Sequence, residues 1–445
     1  MKRAVPVVAL LLIFIVQGSA AQAPGQALAA VGKTAPTTGG KSLTIREAEA
    51  IALRNNPQIT VGKLKALVAG QLVREARSAL LPSANLSLTA VGAQAGSRVA
   101  AGYLNNPVIY PRAATGVAVS QLITDFGRTT NLLSSSRLFA KAEDENAAAT
   151  RAQILLAVDQ DFYNVLEAKA LQQVADETVQ ARGVLVEKIQ ALTNAKLKSE
   201  LDLSFAKVEL SRARLLQLEA VNSYEASRAG LSALLGYADE QDFDPVEEQQ
   251  AMKPPAQDAA PLIQQALQQR PEVAALEYSV ASAEKYGHAE HDLWRPTVSG
   301  LGVVGLAPIR DPHIENWYGA AGVNVNIPIF NGFLYNARAK AADLGTDINR
   351  QKLADMRNTI ARDVRTTWQQ NRQAYERLDV TRQFREEAKL AMDLAQARYN
   401  LGLGSIVEYT QAELQKTEAD IADTEAVYGY RVAQIELDYE MGVTR

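Results

Sequence analysis

Apolar positions along this chain repeat at two different periods. Ile154, Val158, Phe162 and Leu166 recur at helical spacing inside the stretch Arg128 to Asn194, which has no proline and only one glycine, Gly183. A helix over those 67 residues would run roughly 100 Å at 1.5 Å per residue. Residues 333–401 form a second such stretch, interrupted only by Gly345. Two shorter helices are expected to begin at Pro57 and Pro271 and to stop before Pro82 and Pro296, because proline suits a first helical turn and breaks later ones. Four segments read as strands, at residues 84–91, 116–123, 297–304 and 322–330. In the last, Val323, Val325, Ile327 and Ile329 share one face, with Asn324 and Asn326 opposite. That alternation fits a half-buried soluble sheet and a membrane barrel equally well, and periodicity does not separate the two.

The order of elements occurs twice. Pro57 and Pro82 match Pro271 and Pro296 with the same separation, and residues 115–128 match 321–333. Ile154, Val158 and Phe162 match Ile360, Val364 and Trp368, and residues 194–210 match 400–416. The chain is therefore expected to hold two copies, at 42–236 and 261–445. Each reads as helix, strand, loop, strand, long helix, turn and long helix. An acidic, proline-containing linker lies between them at 237–260, and a flexible stretch rich in Ala, Gly, Pro and Thr occupies 22–41. The loops inside the strand pairs, 92–115 and 305–317, are long.

The N-terminus reads as an export signal over residues 1–21. Lys2 and Arg3 precede the apolar run Val7 to Val16, and small residues follow at Gly18 to Ala21. Cleavage would leave 44 basic residues against 50 acidic, changing the net charge from −4 to −6. An acidic balance argues against a nucleic-acid partner. The sequence holds no cysteine, which excludes disulfides, thiolate metal sites, thiol nucleophiles and an N-terminal lipidated cysteine. Nothing after the signal is apolar for long enough to be a transmembrane helix, so any membrane crossing falls to strands. No phosphate loop, zinc-protease helix or serine-elbow motif is present, and no enzymatic activity or cofactor is expected.

Three segments carry a family resemblance. SQLITDFGR (120–128) and VNIPIFNGF (325–333) resemble the strand-to-helix junction of TolC-family outer-membrane efflux proteins. Asp125, Phe126 and Gly127 stand in the first copy, and Pro328, Phe330, Asn331 and Gly332 in the second. AEAIALRNNPQI (48–59) is similar to the family's opening helix, and ARYNLGLGSIVEYTQAE (397–413) to the turn between its last two long helices. The resemblance implies a mainly helical fold with a membrane β-barrel. Each subunit of a homotrimer would give four strands to one shared barrel in outer-membrane lipid, continued by a long α-helical tunnel through the periplasm. It implies a passive exit duct for efflux or type I secretion, served by a periplasmic adaptor and an inner-membrane pump. The contrasting reading is a soluble periplasmic coiled-coil scaffold or adaptor.

The same resemblance points to site residues at the helical turns. Glu408 falls where the family has the first of two acids ringing the tunnel entrance, and Gln411 falls at the second. The plainer reading of Glu408 is a solvated helix-surface glutamate. Asp202 and Tyr399 match an aspartate and a tyrosine that lock the closed tip, with Gly404 at the position of the lock's arginine. For Tyr399, ordinary packing between helices is the competing role. At the helix-to-strand junctions stand Pro82, Pro296 and Trp294. The indole of Trp294 suits either a membrane interface or helix packing. His288 and His291 form an H-x-x-H pair, but their counterparts Arg74 and Arg77 mark a solvent-facing position and no metal is expected.

Overall fold

The computed structural model describes residues 41–92, 112–247, 252–308 and 315–443. The expected signal 1–21, residues 22–40 and the central parts of both strand-pair loops lie outside them.

The first copy contains α1 (Ile45–Asn55), α2 (Pro57–Ser78), β2 (Ser83–Val91), β3 (Arg112–Thr124), α3 (Arg128–Asn194) and α4 (Glu200–Leu234). The second contains α5 (Ala260–Gln269), α6 (Pro271–His291), β5 (Thr297–Leu306), β6 (Trp317–Asn326), α7 (Leu334–Asn400) and α8 (Ile406–Glu440). The short strands β1 (Lys41–Leu43) and β4 (Phe243–Pro245) complete the set. The duplication is metric as well as topological. Helices α3 and α7 both have 67 residues, and α4 and α8 both have 35, in matching positions. Helices α2 and α6 begin at Pro57 and Pro271 and end before Pro82 and Pro296, and α3 and α7 fill the two long stretches, as expected.

Both copies close the same joint with different chemistry. Asn56 caps α2 by accepting from Gln58 N at 2.8 Å, and its amide donates to Leu234 O at the end of α4. Arg270 holds the matching place before α6, donating to Glu272 and to Glu440 at the end of α8. Above each joint lies a core of matching residues. In the first copy Ala52 and Ile59 meet Ile154, Val158 and Phe162; in the second Ala266 and Val273 meet Ile360 and Val364. The linker is not a loose tether. Phe243–Pro245 pairs in parallel with Lys41–Leu43, Trp368 donates to Ala256 O, and Tyr430 donates to Lys253 O.

The four long strands form one antiparallel sheet in the order β2-β3-β5-β6. Its last strand departs from expectation. It starts at Trp317 and ends at Asn326, whereas residues 322–330 were the expected span. Pro328 has no N–H to give a ladder, so Ile327 to Phe330 leave the sheet. Among the described residues no helix is long and apolar enough to cross a membrane.

Candidate functional site

The sheet register sorts the strand side chains onto two faces. Leu86 lies opposite Val117, which lies opposite Val304; Leu88, Leu306 and Trp317 share that face, as do Val119, Val323 and Val325. All of these side chains are exposed, Leu88 at 78% and Trp317 at 60%. A soluble sandwich would bury such a face against a second layer. Among the described residues nothing covers this apolar surface across four strands, as a lipid-facing wall requires. The opposite face is mixed, with Asn85, Ser87, Ser120, Ser299 and Asn324 among Leu122, Leu301, Val303 and Tyr318.

Each strand pair turns into a long helix through two consecutive residues with left-handed backbones. These are Phe126 and Gly127 (φ 56° and 112°) in the first copy, and Gly332 and Phe333 (φ 62° and 65°) in the second. Glycine takes this conformation freely, and the phenylalanines carry its strain. Asp125 is buried and caps α3, accepting from Thr129 N at 2.7 Å and from the Thr129 hydroxyl. Asn331, its counterpart, is half-buried, and neither amide atom has a hydrogen-bond partner among the described residues. Phe330 packs edge-on against Phe333 but remains exposed. Pro328 precedes it outside the sheet.

At the helix-to-strand junctions, Pro82 and Pro296 each precede the strand. Trp294 stacks edge-on with Tyr335 at 5.4 Å and is partly exposed. Beside it are residues that sequence reasoning missed. Buried Asp292 accepts from Asn131 and pairs with Arg295, and Arg295 donates to Phe126 O. The end of α6 in one copy is thereby tied to the start of α3 in the other. His291 approaches Asp343 at 3.0 Å, while His288 is exposed.

The helical turns at 195–199 and 401–405 lie at the far end of α3 and α7 from the strands. Both following helices start with a serine cap. Ser199 Oγ accepts from Asp202 N and Ser405 Oγ from Glu408 N, each at 3.1 Å. The carboxylate of Asp202 reaches back to Ser199 N at 3.4 Å, completing a capping box. The S-x-x-D and S-x-x-E spacings announce these caps in the sequence. Glu408 instead accepts from Arg398 at 2.8 Å, and Arg398 also reaches Leu403 O. Gly404 fits tightly here: a Cβ would lie 3.3 Å from Glu408 Oε2 and from Tyr399 N. Arg398, at the end of α7, is the arginine that reaches across this turn. Gln411 is exposed.

Tyr399 is buried, its ring 5.5 Å from that of Tyr409, with Lys198 Nζ 4.1 Å above it. Its hydroxyl has no hydrogen-bond partner among the described residues. Burial, and then the nearby Asp202 carboxylate, push the phenol's pKa upward. The two aromatic rings sit in an apolar cluster with Leu185, Ile189, Leu203, Met392 and Ile406, which joins the α3/α4 hairpin to the α7/α8 hairpin.

An exposed apolar strand face, set on two helices of roughly 100 Å that each pack against a shorter one, fits a membrane-strand protein with a long helical extension. The sequence profile of the family "Outer membrane efflux protein" matches residues 50–237 and 262–443, most of the chain and both copies of the repeat. The chain belongs to that family and acts at the outer membrane as an efflux exit duct. No curated protein matches it. Among solved structures, the CmeC outer membrane channel of Campylobacter jejuni aligns with TM-score 0.78 at 18% identity, covering 89% of this chain and 85% of that one. The outer membrane protein VceC of Vibrio cholerae gives 0.76 at 16% identity, covering 89% and 96%. The open-state MtrE outer membrane channel of Neisseria gonorrhoeae gives 0.75 at 18%, covering 89% and 88%. At these identities the likeness concerns the fold.

Proposed function

We propose that the chain, after removal of residues 1–21, is one subunit of a homotrimeric duct that crosses the outer membrane and extends into the periplasm. In this reading a periplasmic adaptor and an inner-membrane pump supply cargo and energy, and the duct carries out no catalysis and needs no cofactor. The observation that carries closure by further copies is the open sheet. Strands β2 and β6 are its two edges, and both are exposed along nearly their whole length. A sheet with free edges is not viable in lipid, because every unpaired backbone N–H and C=O there costs several kcal/mol. Copies joined β6 to β2 would close the ring, and three copies would give about twelve strands, within the range of outer-membrane barrels.

The helical turns are proposed as the duct's periplasmic entrance. Three copies of Glu408 near one axis would favour cations, but each is paired with its own Arg398. The pairing leaves the entrance close to neutral. Arg398→Gln is therefore expected to expose the carboxylates and raise cation over anion permeability, while Glu408→Gln shifts it toward anions. Reversal potentials across planar bilayers under a salt gradient check this. Identical ion preference in both variants and the parent would remove Glu408 from the conduction path.

A further inference from the structure

Above the turns, one buried charge cluster joins the two helical hairpins. Arg182 on α3 is 4% exposed. Its Nη1 donates to Glu209 O on α4 at 2.9 Å and lies 3.3 Å from Glu209 Oε2, and its Nε lies 3.7 Å from Glu413 Oε2 on α8. Both carboxylates are buried, yet these two oxygens and Arg182 Nε have no hydrogen bond among the described residues. Arg212, largely exposed, takes the other oxygen of Glu209 at 2.7 Å, whereas Lys416 turns away to Asp420 at 2.7 Å. Glu209 thus has two guanidinium partners, whereas buried Glu413 has, among the described residues, only a 3.7 Å approach to Arg182, which it shares with Glu209. The groove between α3 and α7 beside Glu413 is lined by Glu177, Lys188, Asp393, Tyr399 and Tyr409 and has a volume of about 620 Å³.

We propose that the Arg182–Glu209–Glu413 cluster is a proton-operated clamp, in which protonated Glu413 lets α8 pack closely on the α3/α4 hairpin and ionised Glu413 loosens that joint. The cost of ionising a second buried carboxylate is the physical cause. Glu413 behaves accordingly. Burial raises its pKa above the ordinary glutamate value, Arg182 opposes the rise, Glu209 adds to it and Lys416 opposes it. The sign follows from linkage. The packed state binds the proton more tightly than a state with Glu413 in water, so packing gains as pH falls through the raised pKa and is lost as pH rises. Nearby Tyr409, with a pKa pushed up to about 12, stays protonated and takes no part in the change.

The clamp bears on flow only if the duct reading holds, but helix spacing can be measured independently of conductance. The chain has no cysteine, so nitroxides on Val184→Cys of α3 and Gln415→Cys of α8, both exposed, report that spacing, with labelled chains diluted into unlabelled ones so that pairs lie within one subunit. In the full processed chain in mild detergent, pulsed electron resonance should show the distance distribution shifting to shorter values from neutral to mildly acidic pH. Glu413→Gln should show the short distribution at neutral pH and lose the response, and Glu408→Gln should keep it. Glu209→Gln should move the midpoint to lower pH. A parent distribution that ignores pH, a Glu413→Gln variant that titrates like the parent, or a Glu209→Gln midpoint that stays put would each overturn the clamp. The Glu209→Gln midpoint decides the matter if Glu413→Gln does not fold.

Discussion

Phe162→Ala is expected to cost about 3–5 kcal/mol, the usual range for truncating a fully buried aromatic. Phe162 is 1% exposed and sits where α1, α3, α4 and strand β1 converge, among Leu43, Ile45, Ala52, Leu231 and Leu235. It also stacks edge-on with Tyr163 at 5.9 Å. Its surroundings belong to several elements whose positions are set by other contacts, including the Asn56 cap and the β1–β4 pair, so the space cannot collapse cheaply. The lowered midpoint of denaturant unfolding, read by circular dichroism, checks it. Phe162→Leu, which keeps most of the volume, should lose less than half as much. Equal losses for the two would show that the site is not packed as described.

The second large effect concerns a buried ion pair. Glu290 on α6 is 2% exposed, and Arg338 on α7 clasps it with two hydrogen bonds of 2.6 and 2.8 Å. Arg338→Ala leaves the carboxylate without its partner. Breaking a fully buried pair costs about 3–5 kcal/mol, and the loss here is expected below that, at about 2–3 kcal/mol, because the Arg338 side chain is 43% exposed and water can reach the site. Glu290→Leu with Arg338→Leu removes both charges and should recover most of the loss. Denaturant midpoints of the single and double variants form the test. A double variant as unstable as Arg338→Ala would mean that packing, not an uncompensated charge, sets the cost.

How much of this was legible in the sequence depends on the range of the interactions. The long helices were readable because nothing between Arg128 and Asn194 breaks a helix, and the offset between copies placed the second pair. The end of the last strand was misjudged because alternation continues through Ile327 and Ile329, whereas the missing N–H of Pro328 ends the ladder earlier. The direction of the apolar strand face was not readable from alternation alone; it needed the register that lines up Leu86, Val117 and Val304. At the turns, the serine caps were present as local spacings, but the contact of Arg398 with Glu408 was not, because it spans ten positions across the turn. The buried cluster of Arg182, Glu209 and Glu413 was invisible. Its members belong to three helices and both repeats, and each looks in sequence like an ordinary charge on a helix surface.

A working duct requires that the open sheet be closed by other copies in lipid. The direct measurement is membrane fractionation of the signal-processed chain, followed by its mass and cross-linked subunit count in mild detergent. The predicted result is a detergent-dependent trimer in the outer-membrane fraction. A water-soluble monomer in the periplasmic fraction would contradict it.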